Sequence, residues 1–446
     1  MRLPTLCVFH PGLLAVSAVL MTAGACSSPE PEAARDINVI LISVDTLRAD
    51  HLGCYGYPRP TSPVIDELCG DSVVFRQAIA QAPSTLHSHA SMLSSLLPHH
   101  HQASWQKRTG LPEEAVTLAE VLGDAGLRTV AFTGGGQMDR IFGLAQGFDL
   151  YKQLPPKYFG VTVRRALKWI RRSRPAPFFM FLHTYEVHHP YTPRVAHLEV
   201  FEKDYSGSLP RKISVELLTQ INRGEVEIGD EDLQHIVNTY DAEIRSMDGG
   251  LDQLVVFLKK KGIYDRTMIV LTSDHGEEFG EHGVVGWHSH SLYDELLRVP
   301  LIIKYPNSRF AGTEVRRQVR SIDIAPTILA ALGIEIPEEF QGVDLAEWLD
   351  TRGSRELAAV SRIDAADTRD FDSLRTEKWK LDRRSLYDLS ADPGEMQNRR
   401  ADRLQTVEEL EELLAEQVAR HRRLAPQKVA VPKETLQDLK ALGYIQ

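Results

Sequence analysis

The chain has 446 residues, 43% of them hydrophobic and 25% charged, with a formal net charge of -10. This composition is globular and not disordered, and the length suits one large α/β domain with a smaller appendage. A negative balance excludes a general nucleic-acid binder, which needs a basic face to neutralise phosphates.

Residues 1–25 read as an export signal. Residues 13–24 form a short apolar run ending in small residues, too short to span a bilayer. The run closes on Ala23-Gly24-Ala25-Cys26, which resembles a bacterial lipobox and makes Cys26 the expected lipidation site. Residues 26–36 follow as a polar, proline-rich tether. The expectation is an exported protein of the bacterial cell envelope, on the periplasmic or outer-membrane face. Several acyl chains on one cysteine would anchor it stably to the membrane. Cys54 and Cys69 remain, and one disulfide between them is open to an exported protein.

Residues 37–354 alternate buried strands with helices, the pattern of an α/β layered domain with a central, mostly parallel sheet. The apolar run 38–44 ends in Asp45. A helix is expected over 116–125 and strands over 127–132, 178–183, 268–272 and 300–304. His99-His100-His101 follows Pro98 and reads as a solvated loop. A helix over 322–332 stops at Gly333. Residues 355–446 form a small C-terminal α+β subdomain with short antiparallel strands over 357–381, a charged helix over 404–420 and a helical tail.

In α/β sheets, ligands bind beyond the carboxyl ends of strands. Asp45, the stretch 183–189 and Ser273-Asp274-His275 all fall at such ends. Two carboxylates such as Asp45 and Asp274 cannot sit together without a cation or a shared proton. A divalent metal resolves that repulsion and polarises an ester oxygen.

Six ordered stretches between residues 38 and 398 resemble the sulfatase family of the alkaline phosphatase superfamily. They are NVILISVDTLRADHLGCYG (38–56), APSTLHSHASMLSSLLP (82–98), SDHGEEFGEHG (273–283), SLYDELLRVPLI (291–302), DIAPTIL (323–329) and LYDLSADPGE (386–395). The resemblance implies the family's α/β sandwich and ester hydrolysis. It places Thr85 at the nucleophile and His89 at the family's arginine. The usual nucleophile is a formylglycine made from Cys or Ser. Threonine is not a known source of it, but it is the nucleophile of some phosphodiesterase and phosphoglycerol-transferase relatives. Thr46 replaces a second aspartate, and Trp287-His288-Ser289-His290 stands where a lysine is usual.

These departures favour a histidine-rich two-metal or zinc-like site. The expected catalytic residues are Thr85, His89 and His188. The expected metal ligands are Asp45, Thr85, Asp274 and His275, with Glu186, His288 and His290 for a second ion or the ester oxygens. Ser84 is the rival hydroxyl. Zinc or manganese is the expected metal, or calcium for a true sulfatase. The expected substrate is a small-molecule or glycan ester, phosphate slightly ahead of sulfate. The alternatives are a true sulfuric ester hydrolase and a non-catalytic binding lipoprotein on the same fold. The segment 191–231 is expected to select the alcohol part. Residues 439–443 resemble the tail of related chains and carry no assigned role.

Overall fold

The computed structural model describes Met1 and residues 36–173, 176–350, 356–364 and 370–445; the rest of the expected export signal and Cys26 lie outside them. Residues Ala33–Gln446 form one compact unit. Among the described residues, no helix is long and apolar enough to cross a membrane.

Eight strands make the central sheet, in the order Thr313–Arg320, Val73–Ile79, Arg298–Lys304, Thr267–Thr272, Asn38–Val44, Phe178–Thr184, Arg128–Thr133 and Leu150–Gln153. Only Arg298–Lys304 runs against its neighbours; the other pairings are parallel. The central strands are buried along their whole length. That is why they read as continuous apolar runs and not as alternating ones. The expected elements are present with small shifts at their ends. The first helix after residue 116 starts at Leu118 because Thr117 and Glu120 close a capping box.

His99, His100 and His101 are a correction. They form a short helix and all three are buried. His99 pairs with Asp372 at 3.0 Å, and His100 Nε2 meets the Val418 carbonyl at 2.9 Å. Contacts from the C-terminal region cover what looks like a solvated loop in sequence. Cys54 and Cys69 are joined by a disulfide, with their Cα atoms 6.5 Å apart.

The C-terminal sheet has four antiparallel strands, Ala359–Ile363, Phe371–Arg375, Trp379–Asp382 and Leu386–Asp388. The helix Leu404–Ala419 covers it through Val407 and Leu410, which pack with Leu374, Leu381 and Leu386. A buried ionic cluster joins this sheet to the segment before the Arg298–Lys304 strand. Asp294 takes Arg375 at 2.8 Å and Lys380 at 2.9 Å, and Lys380 also holds Glu395 at 2.8 Å. Asp294 and Glu395 belong to the recurring sequence stretches, and here they are structural.

Breaking a buried ion pair from one side leaves an uncompensated charge. Lys380→Met strips Glu395 of its cation and is expected to cost about 3–5 kcal/mol, read as a lower denaturant midpoint with an unchanged slope.

Candidate active site

Parallel register sets the site. Ser43 lies beside His183 on one side and Thr272 on the other. Two residues further along these strands, Asp45 and Asp274 therefore emerge at one end of the sheet. The turn after Asp45 is pinned from the long helix Asp230–Lys260: Tyr240 Oη donates to the Thr46 carbonyl at 2.7 Å and accepts from the Arg48 amide at 2.9 Å. Thr46 sits at φ 57°, an uncommon conformation for a β-branched residue.

Asp45, Asp274 and His275 converge, with one ligand atom of each within 4.8 Å of the others. His275 Nε2 lies 3.5 Å from Asp274 Oδ2 and 3.9 Å from Asp45 Oδ1. All three residues are fully buried, and these same three atoms have no hydrogen-bond partner. Buried polar atoms are normally satisfied, so three orphans facing one point need an explanation. A divalent cation satisfies all of them, and this donor set fits one. Without a cation, burial and then the Asp274 carboxylate push the Asp45 carboxyl well above its usual range.

Thr85 is the first residue of the helix Thr85–Ser94, at the positive end of the helix dipole. Gln137 Oε1 accepts from the Leu86 amide at 3.0 Å and holds this first turn. Thr85 Oγ donates to Asp45 Oδ2 at 3.2 Å. Ser84 turns away, its hydroxyl 2.8 Å from His87 Nδ1. His89 lies beneath the cluster, bonded to the Thr85 carbonyl at 2.8 Å and to Ser43 Oγ at 2.9 Å, with Asp274 at 3.6 Å. It supports the turn that carries Thr85 through the backbone carbonyl and makes no hydrogen bond to the Thr85 hydroxyl.

A second buried cluster is His188, His189 and His288. Burial first, then neighbouring imidazoles, depress His188 well below the usual histidine range. Burial likewise lowers His288. Both are therefore neutral, the form that binds metals. Glu277 accepts from His288 Nδ1 at 2.7 Å and from Tyr191 Oη at 2.8 Å, with His189 Nδ1 3.6 Å away. A carboxylate behind an imidazole fixes its tautomer and orients its other nitrogen.

Two expected ligands do not reach either cluster. The Glu186 carboxylate takes Ser246 Oγ at 2.6 Å and the Phe159 amide, which opens the helix Phe159–Arg172. A carboxylate satisfied at a helix start has no reason to turn inward. His290 Nε2 pairs with Glu278 at 2.9 Å. His189 completes the second cluster, and Glu277 supports it from behind. Their signal in sequence was proximity, to His188 and to His275. His183, 3.3 Å from Asp45 Oδ2, was legible as a strand end.

A cavity of about 350 Å³ adjoins the site, lined among others by Trp105, Arg108, Gln137, Trp287, Ser289 and Tyr444. Trp287 stacks on His189 at 4.9 Å with planes 5° apart. No residue of the segment 191–231 lines this cavity, a correction to the sequence expectation. Tyr444 Oη lies 2.8 Å from Thr85 Oγ and 3.0 Å from His188 Nε2. Burial and then Asp45 push its phenol well above the usual range. The tail resemblance over residues 439–443 stopped one residue short of Tyr444 and assigned it no role.

A mostly parallel sheet with carboxylates, imidazoles and a hydroxyl at its carboxyl edge is the layout of an ester hydrolase. The sulfatase family model matches residues 37–334, and the C-terminal model of N-sulphoglucosamine sulphohydrolase matches residues 280–423. The chain belongs to the sulfatase family, whose members are ester hydrolases of the alkaline phosphatase superfamily. It is 24% identical to an N-acetylglucosamine-6-O-sulfatase of Bacteroides thetaiotaomicron, over 91% of this chain and 90% of that protein. It is 27% identical to a multifunctional alkaline phosphatase superfamily protein of Trinickia caryophylli, over 70% of this chain and 77% of the other. In fold it is similar to a structure solved with its substrate D-glucosamine-2-N,6-O-disulfate. That match has a TM-score of 0.74 and 22% identity, over 87% of this chain and 99% of that one. It is also similar to a phosphonate monoester hydrolase of Agrobacterium radiobacter, with TM-score 0.69 and 21% identity, over 89% and 98%.

Asp274→Asn is expected to reduce bound divalent metal affinity by more than about tenfold, measured by mass spectrometry of metal content after dialysis. In metal-stripped protein, Asp45→Asn is expected to raise the melting temperature, because it removes half of a buried like-charge pair. Loss of stability there would show that no such repulsion exists.

Proposed function

We propose that this chain is a metal-dependent hydrolase that cleaves a phosphate ester of a glycan or small molecule through Thr85. The observation that carries the reading is the Thr85 hydroxyl, bonded to Asp45 within a cluster of orphaned ligand atoms. Threonine at this position argues against formylglycine chemistry. The proteins it is similar to include both sulfatases and a phosphonate monoester hydrolase. Sulfate-ester hydrolysis is the second reading, favoured by the sulfatase names.

Asp45, Asp274 and His275 would hold one divalent ion, with Thr85 beside it; His188, His189 and His288 would hold a second ion or the ester oxygens. Mixed imidazole and carboxylate donors favour zinc or manganese over calcium. A bound ion supplies positive charge that stabilises the transferred group's oxygens and lowers the proton affinity of a nearby hydroxyl. Thr85 Oγ attacks phosphorus in line, its proton leaving along the hydrogen bond to Asp45 Oδ2. The bond to the alcohol breaks, and the alcohol departs after taking a proton. Water then hydrolyses the threonyl ester. The aromatic walls Trp105 and Trp287, with Arg108 at the rim, suit a sugar carrying an anionic group. The lipobox-like sequence before Cys26 supports export and lipid anchoring at the cell envelope.

Thr85→Ala is expected to lower turnover by about three orders of magnitude or more, assayed on p-nitrophenyl sulfate, a phosphate monoester and a phosphate diester. Retained turnover would remove Thr85 from the mechanism, and sulfate release without phosphoester turnover would favour the sulfuric ester reading. Trp287→Ala is expected to raise KM for a sugar ester about three- to tenfold, with less effect on a p-nitrophenyl ester. Equal effects on both would place Trp287 outside substrate recognition.

A further inference from the structure

The C-terminal tail has a definite path. Gln427–Lys428 pairs with Thr109–Gly110, beside the rim of the cavity. The helix Lys433–Ala441 then packs on the turn Gly136–Met138, with Thr435 Oγ donating to Asp139 Oδ2 at 2.6 Å. Leu442 is buried, and a Cβ at Gly136 would meet its side chain at 2.8 Å. The helix ends with the Gly443 amide on the Lys440 carbonyl at 3.1 Å and the Tyr444 amide on the Leu439 carbonyl at 2.9 Å. This is the double bond pattern of a Schellman cap. Gly443 takes the left-handed position at φ 83°, and a Cβ there would meet His189 Nε2 at 3.1 Å and Val215 at 3.0 Å. A larger residue would be strained and crowded. The cap turns the next side chain, Tyr444, into the site.

There its hydroxyl bridges the two clusters, 2.8 Å from Thr85 Oγ and 3.0 Å from His188 Nε2. Among the described residues, no lysine or arginine side chain bonds to Thr85, Asp45, Asp274 or His275. The positions where the resemblance places an arginine and a lysine hold His89 and the histidine-rich stretch 287–290. The site therefore lacks a cationic side chain at its nucleophile, and the group beside the nucleophile is a phenol. Tyr444 also lies beyond both matched family regions, which end at residues 334 and 423.

We propose that Tyr444 is a further catalytic residue, donating a hydrogen bond to the group transferred onto Thr85. This rests on Thr85 being the nucleophile. A donor that touches the nucleophilic oxygen also reaches an equatorial oxygen of the phosphoryl or sulfuryl group bonding to that atom. Donors placed where charge develops act mainly on the transition state. The loss of the hydroxyl should therefore appear in kcat more than in KM.

The test is Tyr444→Phe in the full chain, which keeps the ring and removes one oxygen. Turnover is expected to fall about 10- to 100-fold, below the loss for a single strong oxyanion donor. KM should change less than about threefold, with an unchanged melting temperature. Wild-type kcat in Tyr444→Phe, alongside an inactive Thr85→Ala, would overturn this proposal and leave the nucleophile intact. Full activity in both variants would place the failure in the Thr85 reading and overturn the Tyr444 role with it. Leu442→Ala serves as the packing control. If Tyr444→Phe and Leu442→Ala lower the melting temperature equally and lose turnover in proportion, the tail only packs and the proposal falls.

Discussion

Two carboxylates with no exposure to water face one another at the ends of adjacent parallel strands. Asp45 and Asp274 are fully buried and share one side of a small cluster with His275. Leaving both charged in a dry interior is prohibitive without a cation. Much of the surrounding architecture holds that arrangement in place. Tyr240 pins the turn after Asp45, His89 and Ser43 pack beneath, and Gln137 fixes the helix start that presents Thr85. The geometry is costly as bare protein and sensible as a cation site.

The recurring sequence stretches divide into chemistry and scaffold. Asp45, Thr85, Asp274 and His275 meet at the site. Asp294 and Glu395 lie in equally recognisable stretches but serve a buried ionic cluster with Arg375 and Lys380. Asp323 holds Arg320 at 2.7 Å and the Val343 amide at 3.0 Å. A buried charge left unpaired is severely destabilising, so structural ion pairs constrain a sequence as strongly as catalysis does. A motif read without geometry does not separate the two.

The second cluster shows how imidazoles replace the cationic side chains that the resemblance leads one to expect. Histidines, with Glu277 behind them, line the space that a lysine or arginine would otherwise charge. Among the described residues no lysine or arginine side chain bonds to Asp45, Asp274 or His275, and their orphaned atoms converge where a cation fits. The tail closes the remaining side with a neutral hydroxyl. The wall of the site is thus assembled from segments more than 350 residues apart in sequence, since Thr85 and Tyr444 are separated by 359 positions.

Sequence alone determined the layered α/β class, because strands buried on both faces must read as apolar runs. Strand ends singled out Asp45, Asp274 and His275 as polar groups at one edge, whereas Thr85 was singled out only through the family resemblance. It did not separate His189 from Glu186, or His288 from His290. Neighbouring residues in a turn point in different directions, and only packing decides which one faces inward. Glu186 was claimed by a helix start, and His290 by Glu278. The burial of His99 and His100 depended on contacts with residues beyond 340 in the chain. Tyr444 was invisible for the same reason: its role follows from where a capped helix docks, and that long-range docking has no local signature.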